Sequence, residues 1–187
     1  MATDRRQAFE TETLPHMPEL FGMAVRLTGS RDDAEDLVQE TFLRAYRTYG
    51  NFESGTNARA WLFTILRSIW INRSGRAKRS PEAMTVSDLE QRRGREIELV
   101  DDEAHGRVLA NPKLKSSPTE IERAIAGLPE AFRMPLLLVD VGELTYGEAA
   151  RVLDCPVGTV RSRLSRARKA LASALIDAGG RPRRRSS

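Results

Sequence analysis

The sequence predicts an all-α fold of two small helical domains joined by a flexible linker. Three observations predict it. Apolar residues recur at spacings of three and four through two separate stretches, one ahead of residue 75 and one after residue 117. Residues 75–117, between them, lose that period. Within the second stretch, residues 144–171 (LTYGEAARVLDCPVGTVRSRLSRARKAL) read as two short helices joined by a tight turn. The second of these carries basic residues on the face its apolar stripe leaves free, the arrangement that places a helix in the major groove of DNA.

Each element has a local cause. Leu14, Met17, Leu20, Phe21, Ala24, Val25 and Leu27 give one amphipathic helix ending near Gly29. Ser30 caps the next, with Asp33 three residues on. In it Ala34, Leu37, Val38, Thr41, Phe42, Ala45, Tyr46 and Tyr49 form a full buried stripe. Its other face is acidic first (Glu35, Asp36, Gln39, Glu40) and basic last (Arg44, Arg47), an order the helix dipole alone would favour. A loop spans 50–57, and Thr56 or Asn57 caps a third helix. Ala58, Trp61, Leu62, Ile65, Leu66 and Ile69 form its core face; Arg59, Phe63, Arg67 and Trp70 lie opposite. Aromatics interleaved with arginines offer stacking surfaces for unpaired bases and charge for the backbone. The plain alternative is that Phe63 and Trp70 pack against the first helix.

Helical pattern resumes at Ser117-Pro118-Thr119-Glu120, an N-cap, a proline at the first helical position and a capping glutamate. Ile121, Ile125 and Leu128 follow, with Gly127 as a stop. A further helix runs from about 129 to 141, where Pro135 should kink it or delay its start. Thr145 and Glu148 form a second capping box, and Asp154, Cys155 and Pro156 break the helix it opens. In the last helix Val160, Leu164, Ala167 and Leu171 share one face. The opposite face carries Gly158, Ser162, Ser165, Arg166 and Lys169, flanked by Arg161, Arg163 and Arg168. Serines and arginines there can read base edges, and flanking arginines can take phosphates. A solvated basic face on an ordinary helical hairpin is the competing reading. A short helix is expected around 89–100, and the tail 177–187 reads as disordered.

The net charge of +4 is modest but uneven. From Arg151 onward ten Lys/Arg face two aspartates, whereas residues 81–104 hold eight acids against three arginines. That asymmetry points to a nucleic-acid partner at the basic end. The acidic stretch is a solvated linker or a segment that fends off DNA. One cysteine, Cys155, excludes an intramolecular disulfide and fits a reduced, cytoplasmic setting. His16 and His105 are far apart and form no metal cluster. No signal-peptide core, membrane-length apolar run, phosphate loop or nucleophile motif is read, so an enzyme is not expected.

With these segments in place the chain resembles the extracytoplasmic-function (ECF) sigma factors of bacterial RNA polymerase. DDAEDLVQETFLRAY resembles the family's core-polymerase-binding helix. NFESGTNARAWLFTILRSIWIN resembles its promoter-melting and minus-ten segment. LPEAFRMPLLLVDVGELTYGEAARVLDCPVGTVRSRLSRARKAL resembles its minus-35-reading domain. Response regulators carry similar helix-turn-helix patterns, but they need a receiver domain of alternating strands and helices, which the first half lacks.

The resemblance implies roles. Residues 10–79 would be a region 2-like domain, 80–117 the linker, and 118–176 a region 4-like domain. Asp33, Glu35, Asp36, Leu37, Gln39, Glu40 and Phe42 would bind core polymerase. Phe52, Glu53, Ser54, Thr56 and Asn57 would form the loop that captures a flipped minus-ten base, with Arg59, Trp61, Phe63 and Arg67 on the helix behind it. Flipping costs about a few kcal/mol of unstacking, which a pocket and stacking must offset. Gly158, Thr159, Arg161, Ser162, Arg163, Ser165, Arg166 and Lys169 would read the minus-35 element. The implied partners are core RNA polymerase, promoter DNA and an anti-sigma factor wedged between the domains; no cofactor, small-molecule ligand or membrane contact is implied. The alternative is a stand-alone helix-turn-helix regulator, which would need autonomous operator binding.

Overall fold

The computed structural model describes residues 2–53, 56–77 and 117–179, and every regular element among them is helical. The expected helix at 89–100, most of the linker and the tail from 180 onward lie outside the described residues.

The first unit comprises α1 (Ala2–Thr13), a 3-10 turn (Leu14–His16), α2 (Met17–Thr28), α3 (Arg31–Thr48), a 3-10 turn (Tyr49–Asn51) and α4 (Ala58–Ala77). Gly29 ends α2 in the left-handed region, at φ 72°, and its N–H reaches the Val25 carbonyl at 2.8 Å. The Ser30 hydroxyl then accepts from the Asp33 N–H, so the turn between α2 and α3 is fixed by two adjacent residues. Helix α1 is absent from the sequence reading. It is almost wholly polar, and Phe9, 6% exposed, is its one buried apolar residue.

The second unit comprises α5 (Pro118–Ala126), α6 (Glu130–Leu136), one turn of π-helix (Leu137–Val141), α7 (Tyr146–Leu153) and α8 (Val157–Gly179). Both expected capping boxes form, at Ser117/Glu120 and Thr145/Glu148. Helix α6 starts at Glu130, so Pro135 does not delay it. The disturbance falls after the proline instead: lacking an N–H, it leaves the ladder short of a donor, and the following turn widens to a π-helix.

In the first unit α3 packs between α2 and α4; in the second α8 is the long axis on which α5, α6 and α7 lie. The two units touch. Helix α4 lies against α7, and α2 against α5, so Leu20, Leu37, Leu66, Leu136, Leu153 and Leu164 belong to one continuous apolar core. Two amphipathic patterns in a sequence carry no mark of such a contact, because each already has its own buried stripe.

Candidate functional site

Three surfaces gather the residues singled out in the sequence. The first is the outer face of α3. Asp33, Glu35, Asp36, Gln39 and Glu40 are exposed there, and Phe42 is half-buried. Leu37 is fully buried on the opposite side, which corrects its place among the partner-binding residues: it supports α3 and meets nothing outside. Glu40 is held by Arg73 of α4, whose Nε donates to its carboxylate at 3.1 Å; Arg73 Nη2 also donates to the Asp36 carbonyl at 3.4 Å. Beside this face α1, α2 and α3 enclose a groove of about 870 Å³, walled by Phe9, Leu14, Met17, Phe21, Val38 and Phe42 and rimmed by Arg6, Glu10, Arg31 and Glu35. Leu14, Met17, Leu43 and Tyr46 remain exposed around it.

The second surface is the start of α4 and the loop before it. Asn57 caps the helix, its Oδ1 accepting from the Ala60 N–H at 3.0 Å. Phe52 and Trp61 lie ring to ring at 4.8 Å, and Phe52 stacks on Tyr49 at 5.9 Å. Glu53 and Thr56 are exposed, and the Thr56 hydroxyl donates to the Glu53 carbonyl at 2.7 Å. Ser54 lies outside the described residues.

Several of these side chains are engaged by the second unit. The Asn57 amide donates to Glu148. Arg59 Nη2 donates to the Glu143 carbonyl at 3.3 Å, and Arg59 Nη1 lies 3.6 Å from Glu19. Arg67 donates to the Val152 carbonyl at 3.3 Å. Phe63, expected on the open side of α4, is 1% exposed and lies under Gly142; a methyl group at Gly142 would stand 3.1 Å from its ring. Phe63 is therefore a correction: it is buried, with Gly142 of the second unit against its ring. Glu143 itself adopts a left-handed φ of 54°, a costly conformation for a residue with a side chain.

The third surface is α8. Gly158, Arg161, Ser162, Arg166 and Lys169 are exposed, and Thr159, Arg163 and Ser165 are half-buried. Arg161 lies over the Tyr146 ring at 5.7 Å, and the Ser162 hydroxyl donates to the Thr159 carbonyl at 3.1 Å. Val160, Leu164, Ala167 and Leu171 are completely buried. Arg168 departs from the phosphate-binding role its position suggested. It is buried and makes a two-pronged contact with the fully buried Asp140, at 2.7 and 3.2 Å.

Known proteins match the two units in the same order along the chain. The Sigma-70 region 2 family model matches residues 14–80, and the Sigma-70, region 4 model matches residues 119–171. The ECF RNA polymerase sigma factor EcfG of Rhodopseudomonas palustris is 36% identical over 167 residues, 88% of this chain and 83% of its own length. The chain belongs to the ECF RNA polymerase sigma factors. The RNA polymerase sigma-H factor of Pseudomonas aeruginosa is 34% identical over 91% of this chain and 87% of its own. Among solved structures, the sigma factor RpoE of Bartonella quintana, determined in complex with the anti-sigma factor NepR, is 30% identical with a TM-score of 0.68, covering 91% of this chain and 98% of that one.

In this sigma factor the sequence missed what holds the aromatic loop. Phe9 of α1 packs edge-on against Tyr49 at 5.3 Å and Tyr46 at 5.2 Å. The Tyr49 hydroxyl donates to Glu12 at 2.8 Å. Desolvation, together with that carboxylate, raises the Tyr49 pKa, so the phenol stays protonated and the bond stays made. The aromatic series at Tyr46, Tyr49 and Phe52 was a visible signal; its partner in α1 was not. No helix among the described residues is long and apolar enough to cross a membrane, and no metal-holding cluster of His, Cys, Asp or Glu occurs among them.

Proposed function

We propose that this sigma factor binds core RNA polymerase in the cytoplasm, reads a bipartite promoter and helps to open it, and catalyses no reaction itself. The observation that carries the reading is the separation of chemistry among faces: exposed carboxylates on α3 and exposed arginine, serine and lysine on α8. Residues 10–79, with α1 packed against them, form the polymerase-binding and minus-ten unit. Asp33, Glu35, Asp36, Gln39 and Glu40 meet the polymerase, while the neighbouring groove supplies apolar area. Phe52, Glu53, Thr56 and Asn57, with Arg59, Trp61 and Arg67 behind them, receive the minus-ten strand. Residues 118–176 form the minus-35 unit, read through Ser162, Arg166 and Lys169 with Arg161 and Arg163 on phosphates.

The reading extends to an anti-sigma factor as a partner. RpoE was solved with one, and the apolar groove beside α3 offers a seat that polymerase would also need, making the two mutually exclusive. Run-off transcription with purified core polymerase on fragmented genomic DNA tests the whole reading. Discrete new start sites sharing a two-part upstream sequence are expected. Tight DNA binding by the protein alone, with no new transcripts, would support the stand-alone regulator instead.

A further inference from the structure

We propose that Glu12 of α1 is a positioning residue for minus-ten recognition: by holding the Tyr49 hydroxyl it sets the ring on which Phe52 rests, and so the shape the aromatic loop offers to an unpaired strand. The inference deepens the proposed function and rests on its assignment of the Phe52 loop to that strand. Glu12 lies ahead of residues 14–80, the stretch matched by the region 2 model, so its role is read from this chain's own contacts.

Three residues of α1 face the end of α3. Arg5, Phe9 and Glu12 follow at spacings of four and three, so one stripe of the helix carries all of them. Arg5 lies over the Tyr46 ring at 6.0 Å and donates to the Tyr46 carbonyl at 3.4 Å. Phe9 stands edge-on to Tyr49, with centroids 5.3 Å apart and planes at 82°. The Glu12 carboxylate accepts from the Tyr49 hydroxyl at 2.8 Å. Tyr49 is thus fixed at its flank by a ring and at its tip by a carboxylate, a stronger acceptor than a neutral group.

Tyr49 passes this constraint to the loop through two contacts. Its carbonyl accepts from the Phe52 N–H at 3.0 Å, and its ring stacks on Phe52 at 5.9 Å with the planes 18° apart. Phe52 in turn meets Trp61 of α4 at 4.8 Å. All three rings are half-buried, so the cluster is anchored in the unit and still fronts the surface assigned to the strand. A flipped base is read by its edge while its face stacks, so the tilt of the supporting ring decides where that edge lies. The polymerase-facing carboxylates are out of reach of this device. Glu40 precedes Tyr49 by nine residues, about 13 Å along a helix.

The test uses holoenzyme assembled from core polymerase and the full chain. Its probe is a promoter fragment recovered by the run-off experiment, with the minus-ten segment opened by mismatches in the template strand. One copy has its minus-ten bases exchanged, another its minus-35 bases. The ratio of affinities for cognate and exchanged copies measures discrimination at each element. Glu12→Leu removes the acceptor; Tyr49→Phe removes the donor and keeps every ring. Each should lower minus-ten discrimination about three- to ten-fold, and the double variant should be no worse than either, because the two residues make one bond. Glu12→Gln, which keeps a carbonyl acceptor, should restore most of the loss. Minus-35 discrimination and co-elution with core polymerase should stay as in the wild type. Undiminished minus-ten discrimination in both single variants would overturn the proposal. So would additive losses in the double variant, or a loss shared equally with the minus-35 element, which marks a general loosening of the fold. Should Glu12→Leu fail to fold, Tyr49→Phe decides alone. A wild-type holoenzyme indifferent to the minus-ten exchange would overturn the assignment of the loop itself, an outcome distinct from variants that match a discriminating wild type.

Discussion

Arg166 and Arg168 stand two positions apart on α8 and have opposite fates. Arg166 is exposed on the face opposite the buried Leu164 and Leu171. If it reads a base edge, Arg166→Ala should weaken use of the minus-35 element by about 1–3 kcal/mol, measured by transcription from promoters with and without that element. Arg168 is buried on Asp140, so its removal leaves an uncompensated carboxylate in the core. Arg168→Ala should destabilise the protein by about 3–5 kcal/mol in urea unfolding, and replacing both partners with apolar residues should recover most of the loss. A single-mutant loss under 1 kcal/mol would mean the pair is solvated. The helical period placed Arg166 correctly because exposure on a helix follows from spacing alone. It misplaced Arg168 because Asp140 sits in a π turn that no period predicts. Leu37 failed for a different reason: its side was legible from the stripe, but the family resemblance assigned a role to the whole helix.

At the scale of elements, local chemistry was the most readable part of the chain. Ser30, Ser117 and Thr145 each cap the helix expected of them, because a cap involves neighbours within three residues. Helix α1 was invisible because its one buried apolar residue, Phe9, contacts Phe42, Tyr46 and Tyr49 far along the chain. Phe9→Ala should cost about 3–5 kcal/mol of stability and loosen the loop bearing Phe52. Faster amide exchange at Tyr49 and Phe52, with α8 unchanged, would locate the effect; uniform exchange changes would show that α1 supports the whole core instead. The turn between α7 and α8 carries its own strain. Asp154 caps α7 at φ 51°, where glycine pays no steric cost. Asp154→Gly should therefore raise thermal stability slightly, by about 0.5–1 kcal/mol, without altering helix content.

The whole molecule couples these parts through Glu148, which serves two elements at once. Its carboxylate accepts from the Thr145 N–H at 2.8 Å and closes the cap of α7, while its other oxygen receives the Asn57 amide from α4. Desolvation by itself would raise its pKa. The Thr145 N–H, the Asn57 amide, the Thr145 hydroxyl and the charge of Arg59 outweigh it and hold the group below its ordinary value. A folded pKa below the unfolded one means the stabilisation is complete above the unfolded value, about 4.3, and is lost as pH falls through the folded value. Unfolding free energy should thus decline between pH 5 and pH 3 more steeply in the wild type than in Glu148→Gln, where the ionisable group is gone. The same titration should lengthen the distance between the units before helical content is lost, because Asn57 loses its charged acceptor while most of the α7 cap survives on the Thr145 hydroxyl. Identical pH slopes in the two proteins would mean that Glu148 titrates alike in the folded and unfolded chains, and that the carboxylate does not join the units. Neither capping box nor minus-ten loop announced this link in the sequence, since Asn57 and Glu148 are 91 residues apart and each already had a sufficient local role.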